Sequence, residues 1–423
     1  KIHRAWLAAI ALVPLLHACG GSSGDGDGAL RLVVATDAYG ALDLYSSDTL
    51  LTSNVAADSA SSYVALDADT HTLKLKRNGS STTVSSSERT VSSDTSHTLL
   101  AYATGEALKT VFLTDSEDAP SAGIAKLRVF NASTEAGALD VYVTASDAAL
   151  SDSSATVSSL AAERFSAYSE ISAGSYRIRV TGAGDKSDLR LDLDGVTLSS
   201  LQIGTLVLTT TPGGVLVNGL FIEQKGSVAA RKNPSARVRL VAGAAGNGTA
   251  AATANGVSLS SGLRSPTVGS YALVPAGALA GSVTLDGTAL TLPSATLAAG
   301  SDSTLLVTSA SGAGSATLIA DNNKPALSSS NAKLRLVHGV GGLAGAITLT
   351  ADYSAVATDT AVNSASTPAA IAAGSAIRLE ATTPSAGSAL YLADEVTLTA
   401  GKVYTLFMLG DANAPAGVLR RDR

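Results

Sequence analysis

Around residues 124–144 apolar and polar side chains alternate. Leu127, Val129 and Ala132 separate Lys126, Arg128 and Asn131, with Phe130 near the break. Successive side chains of an extended chain point to opposite faces, so a period of two predicts a half-buried strand and not a helix. Leu139, Val141 and Val143 alternate with Asp140 and Tyr142 in the same way. The short Ser-Thr-Glu-Ala-Gly segment between the runs, Ser133 to Gly137, predicts two antiparallel neighbours in a sheet with one wet face.

The same stretch recurs, and a fixed repeat governs the reading of everything else. Leu30-Arg-Leu-Val-Val-Ala35 followed by Ala41-Leu-Asp-Leu-Tyr45 is one copy, and Ala236-Arg-Val-Arg-Leu-Val-Ala242 and Ala332-Lys-Leu-Arg-Leu-Val-His338 open two more. A basic residue accompanies the Leu/Val alternation each time. Later in each copy come further alternating runs, such as Tyr176-Arg-Ile-Arg-Val-Thr181 and Gly204-Thr-Leu-Val-Leu-Thr209, separated by turn residues. Six or seven short strands in roughly 95 residues suit a β-sandwich. The polar, Pro-containing stretches 119–125, 226–236 and 324–332 divide the copies. The expected architecture is all-β: four tandem immunoglobulin-like β-sandwich domains at 29–118, 125–225, 236–323 and 332–423, following a lipoprotein signal peptide. Leu198 to Ile222 is apolar enough to suggest a membrane span, but Thr209-Thr-Thr-Pro-Gly-Gly214 interrupts it and predicts a hairpin.

The first residues follow other rules. Lys1-Ile-His-Arg4 is basic, and Ala5 to Leu16 is an apolar run too short to cross a bilayer and suited to an export signal. Leu16-His17-Ala18-Cys19 then resembles the lipobox of bacterial lipoproteins, with His17 a departure at its tolerant position. The resemblance implies cleavage between Ala18 and Cys19, a signal peptide of residues 1–18, diacylglycerol on the Cys19 sulfur and an acylated amine. Several acyl chains make a stable anchor, so the expected partner is a membrane. Residues 19–28, rich in Gly, Ser and Asp, read as a flexible tether. Gly20 after the cysteine resembles lipoproteins sorted to the outer membrane, so the expected location is the cell envelope, lipid-anchored. Removal of residues 1–18 also takes Trp6, the only tryptophan, and leaves a single cysteine that cannot form an internal disulfide.

Composition narrows the chemistry. Apolar residues make up 45% of the 423 and aromatics 4%, so the cores are built from Leu, Val and Ala. A net charge of −6, with no long basic cluster, excludes a nucleic-acid backbone as partner. His71, His97 and His338 lie on different strands without a second ligand at metal spacing, so no metal or other cofactor is expected. No serine sits in Gly-x-Ser-x-Gly at a strand-to-helix turn, and Asp43 and Asp140 recur after the same Leu but give way near Thr348 in the last copy. The reading is therefore not an enzyme. Asp67-Ala-Asp69, Asp192-Leu-Asp194 and similar pairs lack the terminal Glu of a calcium loop and suit turns.

The opening Leu127-Arg-Val-Phe-Asn-Ala-Ser133 with Ala138-Leu-Asp-Val-Tyr142, the mid-unit Ala173-Gly-Ser-Tyr-Arg-Ile-Arg-Val180 and the late Leu398-Thr-Ala-Gly-Lys-Val-Tyr-Thr-Leu406 resemble DUF4397, a bacterial domain of unknown function found in lipoproteins and surface proteins. The second copy carries the pattern best, and the third has drifted most, with Ala250-Ala-Ala-Thr-Ala254 where Leu-Asp-Val-Tyr stands elsewhere. The resemblance implies β-sandwiches in a cell-envelope setting and brings no catalytic residues. A structural, adhesive or protein-interaction role is the expectation, with an envelope or extracellular protein or a glycan as partner. Carbohydrate binding is the alternative, and Tyr39, Tyr142 and Tyr353, on polar faces or loops, are its candidate contacts.

Overall fold

The structure, a computed structural model, describes residues 26–105, 107–384 and 387–423. Residues 1–18, expected to be a signal peptide, the expected cleavage and lipidation positions Ala18 and Cys19 and most of the expected tether lie outside the described residues. What is described is almost entirely β, with one 3-10 turn at Ala245–Asn247.

Each copy of the repeat builds two main sheets, and the third adds a two-stranded one, Gly277–Ala278 with Thr296–Leu297. In the first, the opening strand Gly28–Val34 runs parallel to Ser96–Thr104, which in turn pairs antiparallel with the last strand Ala107–Thr114. Two short strands, Ser59–Ala60 and Val64–Leu66, border the other side of the opening strand. The facing sheet places Leu42–Ser46 between Thr49–Val55 and Thr70–Arg77, with Thr83–Thr90 at the edge. The second copy repeats the scheme with Ile124–Asn131 parallel to Ile203–Thr210, and the third and fourth with Ser235–Gly243 parallel to Asp302–Ala310 and Asn331–Gly339 parallel to Val403–Asp411. A core of Leu, Val, Ala and Ile side chains fills each sandwich, for instance Leu30, Leu32 and Val34 against Leu42, Leu44, Leu73 and Leu75 in the first. The strand order, with a parallel pair in the middle of one sheet, is not that of an antibody constant domain. The hairpin expected in Leu198 to Ile222 is present, with Ile203–Thr210 antiparallel to Val217–Glu223.

Two expectations about the opening strand are corrected. The runs around Leu127 and Leu139 are not neighbours in one sheet. Ile124–Asn131 pairs with Ser169–Ser172 and Ile203–Thr210, whereas Leu139–Thr144 lies in the facing sheet between Val157–Leu160 and Gly174–Gly182. Alternation says that one face of a strand is buried but not which strand lies beside it, and both runs bury their aliphatic side chains in the same core from opposite sides. Between them the chain arches from sheet to sheet. Asn131 Nδ2 donates to the Gly137 carbonyl at 2.8 Å and to that of Leu160 at 3.1 Å, and Ser133 Oγ accepts from the Ala136 N–H at 3.1 Å, so the arch satisfies its own backbone.

Nor is the other face of the opening strand wet. Val33, Leu100 and Tyr102 of the first sandwich meet Phe130, Val207, Leu220 and Ile222 of the second in a buried cluster of their own. Val241, Leu306 and Ile319 of the third meet Val337, Phe407 and Leu409 of the fourth in another. The four sandwiches therefore associate as two pairs, first with second and third with fourth, each pair joined through the sheets that contain the opening strands. The pairs abut where glycine lets backbone approach backbone. A Cβ on Gly213 of the second sandwich would stand 2.7 Å from Asp302 Cγ of the third, and one on Gly300, at φ +73°, 2.5 Å from Thr211 Cβ.

Candidate functional site

The face through which the sandwiches pair carries a polar constellation whose arginine–threonine pair recurs in all four. Parallel pairing in register sets Arg31 beside Thr98, Arg128 beside Thr205, Arg239 beside Thr304 and Arg335 beside Thr405. In every copy the arginine Nε donates to the threonine Oγ1 at 2.9 Å. In three copies the threonine hydroxyl then donates to a carboxylate at the end of the last strand: Asp115 at 2.7 Å, Asp321 at 2.6 Å and Asp422 at 2.5 Å. A tyrosine closes the group in three: the guanidinium of Arg31 lies 4.8 Å from the Tyr63 ring, that of Arg128 4.8 Å from Tyr168 and that of Arg239 4.5 Å from Tyr271. Tyr63 and Tyr271 also donate to Asp115 and Asp321, at 2.7 and 2.6 Å.

Between the third and fourth sandwiches these groups reach across and become reciprocal. Arg239 Nη1 donates to Asp422 Oδ1 and Arg335 Nη2 to Asp321 Oδ1, both at 2.5 Å, and Arg239 Nη2 stands 3.7 Å from Asp321 Oδ2. None of the four side chains is more than 3% exposed. Burial alone would push the Asp321 carboxyl up, but Arg335 and Arg239 outweigh it and hold the group below the usual carboxylate range. Burial likewise opposes the charge on Arg239, and Tyr271, Asp422 and Asp321 more than offset it. Tyr271 is raised well above the ordinary phenol by burial and by Asp321, so it stays a donor.

The first pair is asymmetric, because its second sandwich has Gln224 where the others have aspartate. Arg31 reaches across to backbone, donating to the carbonyls of Gly226 at 2.6 Å and Glu223 at 2.9 Å. Gln224 turns to the linker, its Nε2 donating to the Glu117 carbonyl and its Oε1 accepting the Glu117 N–H. Apolar contact supplies the drive for pairing, while the buried ions add little net stability and fix which faces fit and in what register.

The residues singled out from sequence fall elsewhere. Asp43 and Asp140 tie down a recurring bulge. Asp43 Oδ1 accepts from the N–H of Asn54, and Asp140 Oδ1 from that of Ser159, residues held at positive φ where the edge strand slips register. Thr348 Oγ1 accepts from Asp359 N–H in the fourth sandwich and does the same work, which explains why no carboxylate is needed there. Tyr142 does not lie on an open polar face, contrary to expectation. It is 3% exposed, with the neighbouring excursion tied back onto the same sheet by Lys186 Nζ and Arg177 Nη1, which donate to the Ser151 and Ser146 carbonyls. Tyr39 is half-buried with Arg77 over its ring, and Tyr353 is 79% exposed with Arg378 at 4.8 Å. The three belong to different sandwiches and are not brought together. His97 stacks on Phe112 at 4.8 Å, His338 is buried, and His71 bonds to Ser46 and to the Asp67 carbonyl. No group of three His, Cys, Asp or Glu side chains is placed to hold a metal among the described residues. Sequence reading noted the recurring arginine and missed its partners, although a Thr-Leu dipeptide opens every penultimate strand, at Thr98, Thr205, Thr304 and Thr405.

The family profile described as "Domain of unknown function (DUF4397)" matches residues 28–142 and 236–343, together more than half of the chain. The chain belongs to the DUF4397 family. The matched regions of this DUF4397 chain span the first sandwich and the arch of the second, then the whole of the third, the copy most altered in sequence, and the arch of the fourth. No curated protein matches. Among solved structures, a family 26 carbohydrate-binding module from Eubacterium rectale in complex with maltoheptaose is 10% identical, covering 47% of this chain and 97% of that one at a TM-score of 0.16. A candidate cell-adhesion protein from Bacteroides uniformis is 14% identical, covering 47% and 98% at a TM-score of 0.21. One from Parabacteroides distasonis is 11% identical, covering 71% and 99% at 0.17.

Proposed function

We propose that this protein is a non-catalytic cell-envelope lipoprotein that holds two rigid pairs of β-sandwiches away from a membrane, by lipid on Cys19, and works by adhesive or protein contact. The observation that supports this most is where the recurring polar side chains go. The arginines, threonines and carboxylates common to the repeats bind one another at the pairing faces, and the recurring carboxylates of the second strands bind backbone, so the repeated polar chemistry builds scaffold. Adhesion is favoured over sugar recognition because, of the three candidate tyrosines, Tyr353 alone stands open to solvent.

The test compares cells carrying the wild-type protein with cells carrying Cys19→Ala, which removes the acylated sulfur. Wild-type cells should yield an acylated N-terminal Cys19 peptide and bind protein-coated surfaces more strongly than the variant, and residues 26–423 should bind no sugar on a glycan array. Equal binding by both cell types contradicts the reading. Saturable binding to one glycan, lost in Tyr353→Ala, replaces it with the carbohydrate alternative.

A further inference from the structure

The second, third and fourth sandwiches meet around a cleft of about 480 Å³ whose cations are unevenly matched. Three guanidinium groups converge there, from Arg190 of the second sandwich, Arg237 of the third and Arg423 at the end of the fourth. Two are already engaged. Arg190 donates Nε and Nη2 to Asp188 Oδ2 and Nη1 to the Ala136 carbonyl, and Arg237 makes a two-pronged contact with Asp302. Arg423 is different. Its Nη1 donates to the Gly214 carbonyl at 3.0 Å, its Nη2 faces Gly137, and among the described residues no carboxylate lies within 4 Å of it. Lys402 adds a further positive charge to the wall. Asp185 and Asp422 line the cleft as well, but Asp422 is bonded to Arg239 and Thr405, so the carboxylates of the wall are spent on other partners or stand off from Arg423. Burial, and then Arg190, press the Arg423 guanidinium down to about 10, and the carboxylates of Glu135 and Asp188 only partly offset them.

We infer that the cleft is a binding site for one small oxyanion of the phosphate or sulfate class, held by the Nε and Nη2 edge of Arg423 between the two pairs of sandwiches. The Nε and Nη2 edge of a planar guanidinium offers two parallel N–H donors to such a group, and a single edge fits a single ion, not a polyanion. Because its walls come from the second, third and fourth sandwiches, a bound ion links the first pair to the second, and mass action makes the assembly more stable as the ion concentration rises.

The test follows thermal unfolding of the full chain in sodium phosphate, sodium sulfate and sodium chloride at equal ionic strength, with calorimetric titration of each anion. Phosphate and sulfate should raise Tm saturably over chloride and give a saturable heat. Arg423→Gln, each salt compared with the variant's own Tm in chloride, should lose the response, whereas Arg423→Lys, which keeps the charge without the fork, should keep a weakened one. Identical melting of the wild type in all three salts with no saturable heat overturns the inference. So does an undiminished response in Arg423→Gln, which would put the ion elsewhere. If circular dichroism shows Arg423→Gln misfolded, the wild-type titration and Arg423→Lys decide it: equal heats for both proteins overturn it.

Discussion

Replacing Asp321 by alanine is expected to destabilise the pair formed by the third and fourth sandwiches by roughly 3 to 5 kcal/mol, the cost of leaving buried charge unmatched. The carboxylate receives Arg335 from the partner sandwich and the hydroxyls of Thr304 and Tyr271 from its own, and it neighbours Arg239. Alanine leaves the two guanidinium groups facing each other with only Asp422 between them, in a place where water does not reach. The figure is a cost of breaking the network and not the worth of having it. The fourfold replacement Arg239→Met, Asp321→Leu, Arg335→Met and Asp422→Leu should recover most of the loss, because an apolar interface of similar volume needs no compensating ions. Equilibrium denaturation of the single and fourfold variants checks both statements. A single variant within about 0.5 kcal/mol of wild type, the range of ordinary surface changes, would mean that the four charges are not buried together.

Phe130→Ala should cost a similar amount, roughly 3 to 5 kcal/mol, by a different mechanism. Phe130 stands at the centre of the cluster between the first and second sandwiches, 1% exposed, with Phe165 stacked at 4.2 Å and Tyr102 edge-on at 5.3 Å. Its removal opens a cavity lined by rigid strands that cannot collapse into it. The loss should fall on unfolding of the first pair and leave that of the second unmoved, since no charge network ties Phe130 to the far half. Leu50→Ala, at a side chain 50% exposed, is the control and should change stability by about 0.5 kcal/mol or less. If Phe130→Ala behaves like Leu50→Ala in denaturant titrations, the first two sandwiches do not share a core.

Much of this fold was legible as pattern. Strand alternation, four copies and the Thr-Thr-Pro-Gly-Gly break that makes a hairpin are local properties, and local properties are what periodicity reports. What escaped were relations between distant segments. Leu127 and Leu139 are only a short loop apart, and the pattern could not say that this loop arches across a sandwich instead of turning within a sheet. Arg31, Arg239 and Arg335 read as residues of a solvated face because arginine is rarely fully buried. Their burial depends on Asp422 and Asp321 of neighbouring copies and on carbonyls as far away as Gly226, none of which a single strand reveals. Tyr142 misled for a related reason: its alternation sets it on the face away from the core, yet that face is closed and the side chain is buried. The repeated Thr-Leu of the penultimate strands was the available clue, since a polar residue kept at one register position beside a repeated arginine marks a cross-strand pair.

Small-angle X-ray scattering of residues 26–423 tests the pairing most directly. Two face-to-face pairs in mutual contact should give a radius of gyration not far above the compact-chain value of about 22 Å. Four units of this size set end to end on short linkers would give roughly 40 Å, and a value near that figure would contradict the account.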